Sequence, residues 1–295
     1  MRLGVHIVNF EVQGGTEAIG PTLARVGRAV DEAGIDNLSA MDHFFQMEMA
    51  GGPEKPMLEG YTTLGFLAAH TSTAELQLLV TGVTYRHPGL LAKIVTTLDV
   101  LSGGRAMLGI GAAWYEREHL GLGVRFPPVS ERFERLEETL RIVLQMWGDD
   151  DGPYEGAHYS LAETINVPRA ITRPHPPVMI GGTGEKKTLR LVAEYANACN
   201  FFAGPQAGPD FVEAKLRVLE EHCREAGSDY SHIRKTILWT GPVGTDAQGA
   251  REFVEQMRGF AAVGVEEVHV MPFTDDPVSY VRGIGDHVMG PLATV

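Results

Sequence analysis

Eight short apolar runs alternate with eight stretches of helical periodicity along the 295 residues, and this alternation constrains the fold more than any other feature. The apolar runs are 3–8, 35–40, 76–84, 105–111, 178–181, 198–202, 235–243 and 265–273. Between and after them the spacing predicts helices over 17–33, 62–73, 89–101, 130–147, 185–195, 209–226, 246–263 and 277–288. In the first helix Ile19, Leu23, Val26, Ala29, Val30 and Ala33 fall on one stripe, and Gly34 ends it. Strand and helix repeating in this way, with no run of antiparallel hairpins, predict an α/β chain closed into a (β/α)8 TIM barrel. An open doubly wound sheet is the competitor. Against it, the first turn, 9–16, lacks the Gly-x-Gly-x-x-Gly pattern by which such sheets hold dinucleotides.

Two connections are longer than the barrel needs. Residues 46–59, after strand two, mix Met, Gly and Pro with charge and read as a functional loop. After strand four comes the helix 130–147, with Ser130 as its expected N-cap and Phe133, Leu136, Leu140, Val143, Leu144 and Trp147 as its buried stripe. Residues 148–177 then lose periodicity, apart from a small hairpin expected over 154–161. The expectation is a single domain, 1–295, with insertions after strands 2 and 4, the second roughly 148–177.

Charge and composition exclude several function classes. A net charge of −13 argues against a surface for nucleic acid or for an anionic membrane. No run of eighteen apolar residues is present, and residues 1–5 enter a strand pattern directly, so neither a membrane span nor a signal peptide is expected. Cys199 and Cys223 lack partners at metal-ligand spacing and read as ordinary thiols of a cytoplasmic protein.

In a barrel the chemistry belongs at the C-terminal ends of the strands. Strands three and four end in Thr81-Gly82-Val83-Thr84-Tyr85 and Gly109-Ile110-Gly111-Ala112-Ala113-Trp114. Glycines there mark a bulge, a close approach of ligand to backbone, or simply tight packing. Asp42-His43, after strand two, sets a carboxylate beside an imidazole that can move a proton near neutral pH, or else a turn-capping Asp beside a His packed on Phe44 and Phe45. Gly181-Gly182-Thr183-Gly184-Glu185, between strand five and a helix, offers free backbone N–H groups to an anion such as phosphate, or is only a tight turn. Glu116 and His119 share a helix face, but two ligands without a third do not make a metal site, and none is expected.

These segments together resemble the luciferase-like monooxygenase family, and within it the branch of oxidoreductases that depend on the deazaflavin coenzyme F420. The resemblance is carried by Asp42-His43-Phe44, by residues 81–88, by Leu101-Ser102-Gly103-Gly104-Arg105 with residues 108–114, by 126–132, and by 180–186. It implies a barrel with F420 in its mouth, FMN being the alternative cofactor, and a small-molecule substrate. By the same resemblance Asp42 meets the polar edge of the ring and His43 stands beside the reacting carbon as proton donor or orienting group. Gly82, Val83, Thr84, Gly111, Ala112 and Ala113 line the ring and its chain, and Gly181, Gly182, Thr183, Gly184 and Glu185 hold the phosphate. A non-prolyl cis peptide is implied behind the ring, with Gly82-Val83 as the matching bond, and so is a homodimer formed through outer helices.

One position departs from the pattern. The deazaflavin-dependent sugar-phosphate dehydrogenases carry an acid after the Gly-rich end of strand four, where this chain has Trp114. An apolar substrate pocket walled by Phe44, Phe45, Tyr85 and Trp114 is the expectation instead. The leading function is hydride transfer between deazaflavin and a small organic substrate. The alternatives are a monooxygenase using reduced FMN and oxygen, and a non-catalytic flavin-binding barrel. Of the bases near the mouth, Arg86, Lys186 and Lys187 are placed to meet an anionic tail of the coenzyme or to be plain solvated charges.

Overall fold

The structure, a computed structural model, describes residues 1–295. The first half runs β1 (Arg2–Ile7), α1 (Thr16–Ala33), β2 (Asn37–Ala40), α2 (Gly60–Ala68), β3 (Glu75–Leu78), β4 (Thr81–Gly82), α3 (Pro88–Ser102), β5 (Leu108–Gly111), α4 (Glu116–Leu122) and α5 (Val129–Trp147). The second runs β6 (Tyr154–Glu155), β7 (Ser160–Leu161), β8 (Val178–Gly181), α6 (Thr188–Tyr195), β9 (Ala198–Ala203), α7 (Pro209–Ala226), β10 (Arg234–Trp239), α8 (Ala247–Ala262), β11 (Glu267–Val270), α9 (Pro277–His287) and α10 (Met289–Leu292). Nine parallel strands follow the order β3-β2-β1-β11-β10-β9-β8-β5-β4. The ring closes where Leu76 of β3 bridges Ala106, with Leu76 N donating to Arg105 O at 2.8 Å and Met107 N to Leu76 O at 2.9 Å. The expected (β/α)8 barrel is the observed fold.

Alternation along each strand sorts the side chains into two layers. Leu3, Val5, Leu38, Leu76, Leu108, Ile110, Val178, Ile180, Phe201, Ile237 and Val268 join the helices in one large apolar core outside the sheet. Inside, Leu79, Met107, Met179, Ala198 and Leu238 form a small apolar plug. The rest of the interior is polar. His6 Nδ1 lies 3.0 Å from Ser39 Oγ, and burial, then His269 and His43, push its pKa down to about 3, so the ring is neutral. At the N-terminal end of the barrel Arg2 and Arg234 meet Glu267 at 2.9 and 3.0 Å, and also Glu75.

The third strand departs most from its expected form. The run 76–84 is not one strand: β3 and β4 are separated by a cis peptide, Leu79-Val80. The cis bond therefore stands here and not at Gly82-Val83. Leu79 belongs to the interior plug and Val80 packs against it, so two successive side chains face inward where a regular period of two would turn one of them out. Neighbouring glycines make the room. A Cβ on Gly109 would lie 2.1 Å from Leu78 O, and one on Gly111 or Gly181 would lie 2.9 or 3.0 Å from a methyl of Val80. The three glycines of strands β5 and β8 are thus spaced for this bulge.

Smaller differences have local causes. The second helix ends at Ala68, short of 73, because Arg105 gathers the carbonyls of Ala68, Thr71 and Ala74 beyond its last turn. The N-cap of α5 is Pro128 rather than Ser130, and Arg132 instead reaches back to Pro127 O at 2.8 Å. Helix α6 starts at Thr188, three residues later than expected, after a Gly-rich turn in which Gly182 has φ +125. The seventh and eighth strands end at Trp239 and Val270. The helical spacing of Glu116 and His119 is realised in the short helix α4. The hairpin of residues 148–177 pairs Tyr154 with Leu161; its turn gives the N–H groups of 157–159 to Glu138 of α5, and the segment after it bonds to α3, Asn166 to Thr96 and Thr172 to Asp99. Residues of this segment thus lie against helices α3 and α5.

Candidate active site

The C-terminal strand ends bring Asp42, His43, residues 81–86, residues 111–119 and the Gly-rich turn after β8 to one face. Two buried carboxylates organise it. Glu118, fully buried on α4, receives four donors: His43 Nδ1 at 2.8 Å and the Tyr85 hydroxyl on Oε1, Phe44 N at 2.7 Å and Phe45 N at 3.1 Å on Oε2. Burial alone would raise this carboxyl, but the bonds from His43, Tyr85 and the Phe44 amide outweigh it and hold it below the usual range. An ionised acceptor requires a donor at His43 Nδ1, so the proton sits there and Nε2, which has no partner in the chain, is left for a ligand.

Tyr85 is kept protonated, since burial and then Glu118 push its phenol well above its ordinary range. His119 stacks on Tyr85 with ring centroids 4.3 Å apart, its Nδ1 2.7 Å from Tyr115 O and its Nε2 2.6 Å from Thr84 Oγ1. Nδ1 must donate to that carbonyl, so Nε2 accepts from the Thr84 hydroxyl. These bonds consume the His119 ring while Glu116 is exposed, so the two residues at helical spacing do not form a ligand pair.

Asp42 is the second carboxylate, with its side chain 1% exposed. Its Oδ2 accepts from Gly82 N at 2.9 Å and Arg86 Nη1 at 2.8 Å, while Oδ1 is buried without a partner. Burial pushes the carboxyl up, against the pull of Arg86 and the Gly82 amide. Arg86 is pinned further by Glu59 at 2.5 Å and lies 4.7 Å over the Tyr61 ring. Asp42 thus ties the end of β2 to β4 and, through Arg86, to α2. Arg86 is committed within the protein and is not a solvated charge.

The remaining expected residues divide clearly. Ala113, at φ 58, turns the chain out of β5 and brings Trp114, 56% exposed, to within 5.5 Å of the His43 ring, centroid to centroid. Phe44 meets Tyr85 edge-on at 5.1 Å, whereas Phe45 packs beneath α4, so close to Gly121 that a Cβ there would lie 2.7 Å from the ring. Val83 is buried in the helix layer, leaving only its backbone for a ligand, and Ala112 is half-buried. Thr84 is held by His119. Around the turn after β8, the N–H groups of Thr183, Gly184 and Glu185 make no internal hydrogen bond, and Glu185 itself pairs with Lys215 at 2.5 Å. Lys187 lies over the Phe133 ring at 5.4 Å.

Sequence reasoning missed Glu118, Val80 and the commitment of Arg86. Glu118 stood in a run of charged residues beside Glu116, and nothing in the sequence separates the buried acid from the exposed one. Val80 left only an indirect trace, in the glycines of the neighbouring strands.

The residues at this face fit a bound deazaflavin or flavin. Bare backbone surrounds Val80 at Gly111 and Gly181, and Thr183, Gly184 and Glu185 leave unbonded N–H groups where an anion would sit, the Gly182 N–H being taken by Asn200 O at 3.0 Å. Together with a free imidazole nitrogen and the exposed Trp114, these fit a flat ring with a phosphate-bearing chain.

Comparison with known proteins agrees with this geometry. The chain is 30% identical to an F420-dependent glucose-6-phosphate dehydrogenase of Microbacterium testaceum over 75% of its own length. The match spans 64% of that relative. Among solved structures, an F420-dependent secondary alcohol dehydrogenase in complex with an F420-acetone adduct superposes with a TM-score of 0.81 at 16% identity, covering 99% of this chain and 98% of the other. A monooxygenase of Streptomyces bottropensis superposes at 0.75 and 18% identity over 98% and 99%. The sequence profile described as luciferase-like monooxygenase matches residues 1–279, and the chain belongs to that family.

Proposed function

We propose that this protein is an F420-dependent oxidoreductase that moves a hydride between the deazaflavin and a small organic substrate. The observation that carries the reading is His43: its Nδ1 is fixed by a buried carboxylate and its Nε2 is free at the barrel mouth, in a chain related to enzymes named for F420. When bound, the deazaflavin supplies hydride donation and acceptance at a carbon centre. The protein supplies position and a proton. Thr183, Gly184 and Glu185 would hold the phosphate through backbone N–H groups, with Gly182 shaping the turn, and Gly82, Ala112, Ala113 and Gly111, with Val80, would back the ring. Asp42 keeps β4 and Arg86 in place. His43 Nε2 takes a proton from a substrate hydroxyl in the oxidising direction, and in the reducing direction the imidazolium, protonated beforehand from solvent, gives its Nε2 proton to the substrate oxygen, while Glu118 stabilises the imidazolium and fixes the ring plane.

Fluorescence titration of apoprotein with F420 and separately with FMN tests this directly. Tight F420 binding with weak FMN binding is expected. Preference for FMN would move the protein to oxygen chemistry as a monooxygenase, and binding of neither would leave a non-catalytic barrel.

A cytoplasmic location is proposed with this reading, supported by the two buried, unpaired thiols of Cys199 and Cys223; no helix is long and apolar enough to cross a membrane. The protein is also proposed to pair as a homodimer. A groove of about 360 Å³ between α2 and α3, lined in part by Leu90, Ile94, Leu98 and Leu101, leaves Leu90 and Leu101 64% and 71% exposed.

A further inference from the structure

We propose that Tyr115 is a positioning residue for His43, and that the long connection after strand two holds it in that role through Glu48. This rests on the oxidoreductase reading for the use made of the His43 proton, and on geometry alone for how the ring is held.

A single hydrogen bond to Glu118 holds one atom of the His43 ring and lets Nε2 swing about it, whereas proton transfer needs Nε2 aimed at one place. Two aromatic rings remove that freedom. Trp114 and Tyr115 stack on each other with centroids 5.1 Å apart and planes at 29°. Each meets the His43 ring edge-on, Trp114 at 5.5 Å and 76° and Tyr115 at 5.6 Å and 78°. Aromatic pairs attract in this geometry and at these separations. Trp114 is 56% exposed, but Tyr115 is 6% exposed and is tied at both ends. Its carbonyl accepts from His119 Nδ1 at 2.7 Å, His119 stacks on Tyr85, and Tyr85 donates to Glu118. His43, Glu118, Tyr85, His119 and Tyr115 thus form a closed ring of contacts.

The other end of Tyr115 is braced from the connection after strand two. The Tyr115 hydroxyl donates to Glu48 Oε1 at 3.0 Å, and Arg117 Nη1 reaches the same oxygen at 2.7 Å. Burial and then Glu48 push the phenol up, so it keeps its proton and donates. Glu48 is seated in turn by Gln46, which is fully buried and donates to Val8 O at 2.8 Å while accepting from Met47 N at 2.9 Å. Tyr115 is the N-cap position of α4 and Glu118 lies in the first turn of that helix. The segment from His43 to Glu48 therefore meets the start of α4 twice, at His43–Glu118 and at Glu48–Tyr115. The first contact holds the imidazole, and the second holds the wall that keeps it from turning.

The test follows the His43 Nδ1 proton by NMR in apoprotein with 15N-labelled histidine, the signal being assigned by its loss in His43→Ala. Glu48→Ala, at a position with 58% of its side chain exposed, and Tyr115→Phe, which keeps the ring, are expected to speed exchange of that proton with solvent roughly tenfold and to move its signal upfield as the bond to Glu118 loosens. Urea unfolding of Glu48→Ala should stay close to wild type, so that the change is local. Lys55→Ala breaks the 2.8 Å pair with Glu11 further along the same connection without touching Tyr115, and should leave the exchange rate at the wild-type value. An unchanged rate and signal in both Glu48→Ala and Tyr115→Phe overturns the proposal. So does an equal acceleration in Lys55→Ala, which would make the whole connection, and not Tyr115, the holder of His43. Titration of the wild type with F420 is run separately: absence of binding would remove the oxidoreductase reading, while the exchange rates still decide how His43 is held.

Discussion

Glu118 Oε1 stands 2.8 Å from His43 Nδ1 while the same carboxylate accepts from Tyr85 and from the amides of Phe44 and Phe45. All four partners are donors, so the site needs a carboxylate and not an amide. Glu118→Gln would turn an NH2 group against two of those donors, at about 1–3 kcal/mol for each group left unsatisfied. His43→Ala is expected to lower kcat/KM by roughly 10²–10⁴-fold while F420 binding is retained. Glu118→Gln should fall between wild type and that variant and should also change the pH profile of kcat/KM, because the imidazolium loses its counter-charge. Steady-state kinetics across pH, with fluorescence titration of F420, check both. An unchanged turnover in His43→Ala would remove it from the proton transfer.

Packing behind the ring gives a second test. A Cβ at position 111 would lie 2.9 Å from Val80 Cγ2. Gly111→Ala is therefore expected to cost about 1–3 kcal/mol of stability, the usual range for overpacking, and to weaken F420 binding. Val80→Ala in the same chain removes the methyl that collides and should recover most of the loss, a non-additivity that urea unfolding of the two single variants and the double variant would measure. Additive losses would mean that Gly111 is required for some other contact.

Much of this architecture could be read before any coordinates. The strand 178–181 and the helix 209–226 have the observed bounds, since each sits between strong stop signals and carries one clean periodicity. The strand ends that gather His43, Trp114 and the Gly-rich turn follow from the barrel itself. What could not be read depends on contacts through space. The break at Leu79-Val80 lies in a run of β-formers with no local mark, and only the packing of Val80 against Gly111 and Gly181 reveals it. Glu118 differs from Glu116 only in which face of α4 meets β2, and Arg86 differs from a solvated base only because Asp42 and Glu59 converge on it.

At the opposite end of the barrel, acid stability should depend on Glu267. Burial would raise this carboxyl, yet His269, Arg234 and Arg2 together bring its pKa from 4.5 down to about 2. The unfolded chain therefore binds more protons than the folded one between these values. The carboxylate's contribution to stability is complete above about pH 4.5 and is lost as pH falls toward about 2. Glu267→Gln leaves Arg2 and Arg234 short of a partner and is expected to cost about 3 kcal/mol at neutral pH, with a shallower loss below pH about 4.5 than wild type. Urea unfolding at a series of pH values measures both. Parallel acid limbs in the two proteins would show that another group dominates.

The proposed homodimer makes a last prediction about the outer face of α3. Leu90 and Leu101 lie about three helical turns apart on one helix and both line the groove against α2. Stable protein interfaces bury about 1,200–2,000 Å² in total, with an apolar centre from which charge is depleted. A carboxylate set into such a centre is left unpaired on association, whereas on a monomer's surface it is hydrated at little cost. Leu90→Asp and Leu101→Asp are thus expected to shift the protein from twice the chain mass to the chain mass in light scattering after gel filtration, with F420 binding preserved because the site lies at the strand ends. A wild-type protein that already elutes at the chain mass, or variants that remain paired, would place any self-association on a different face.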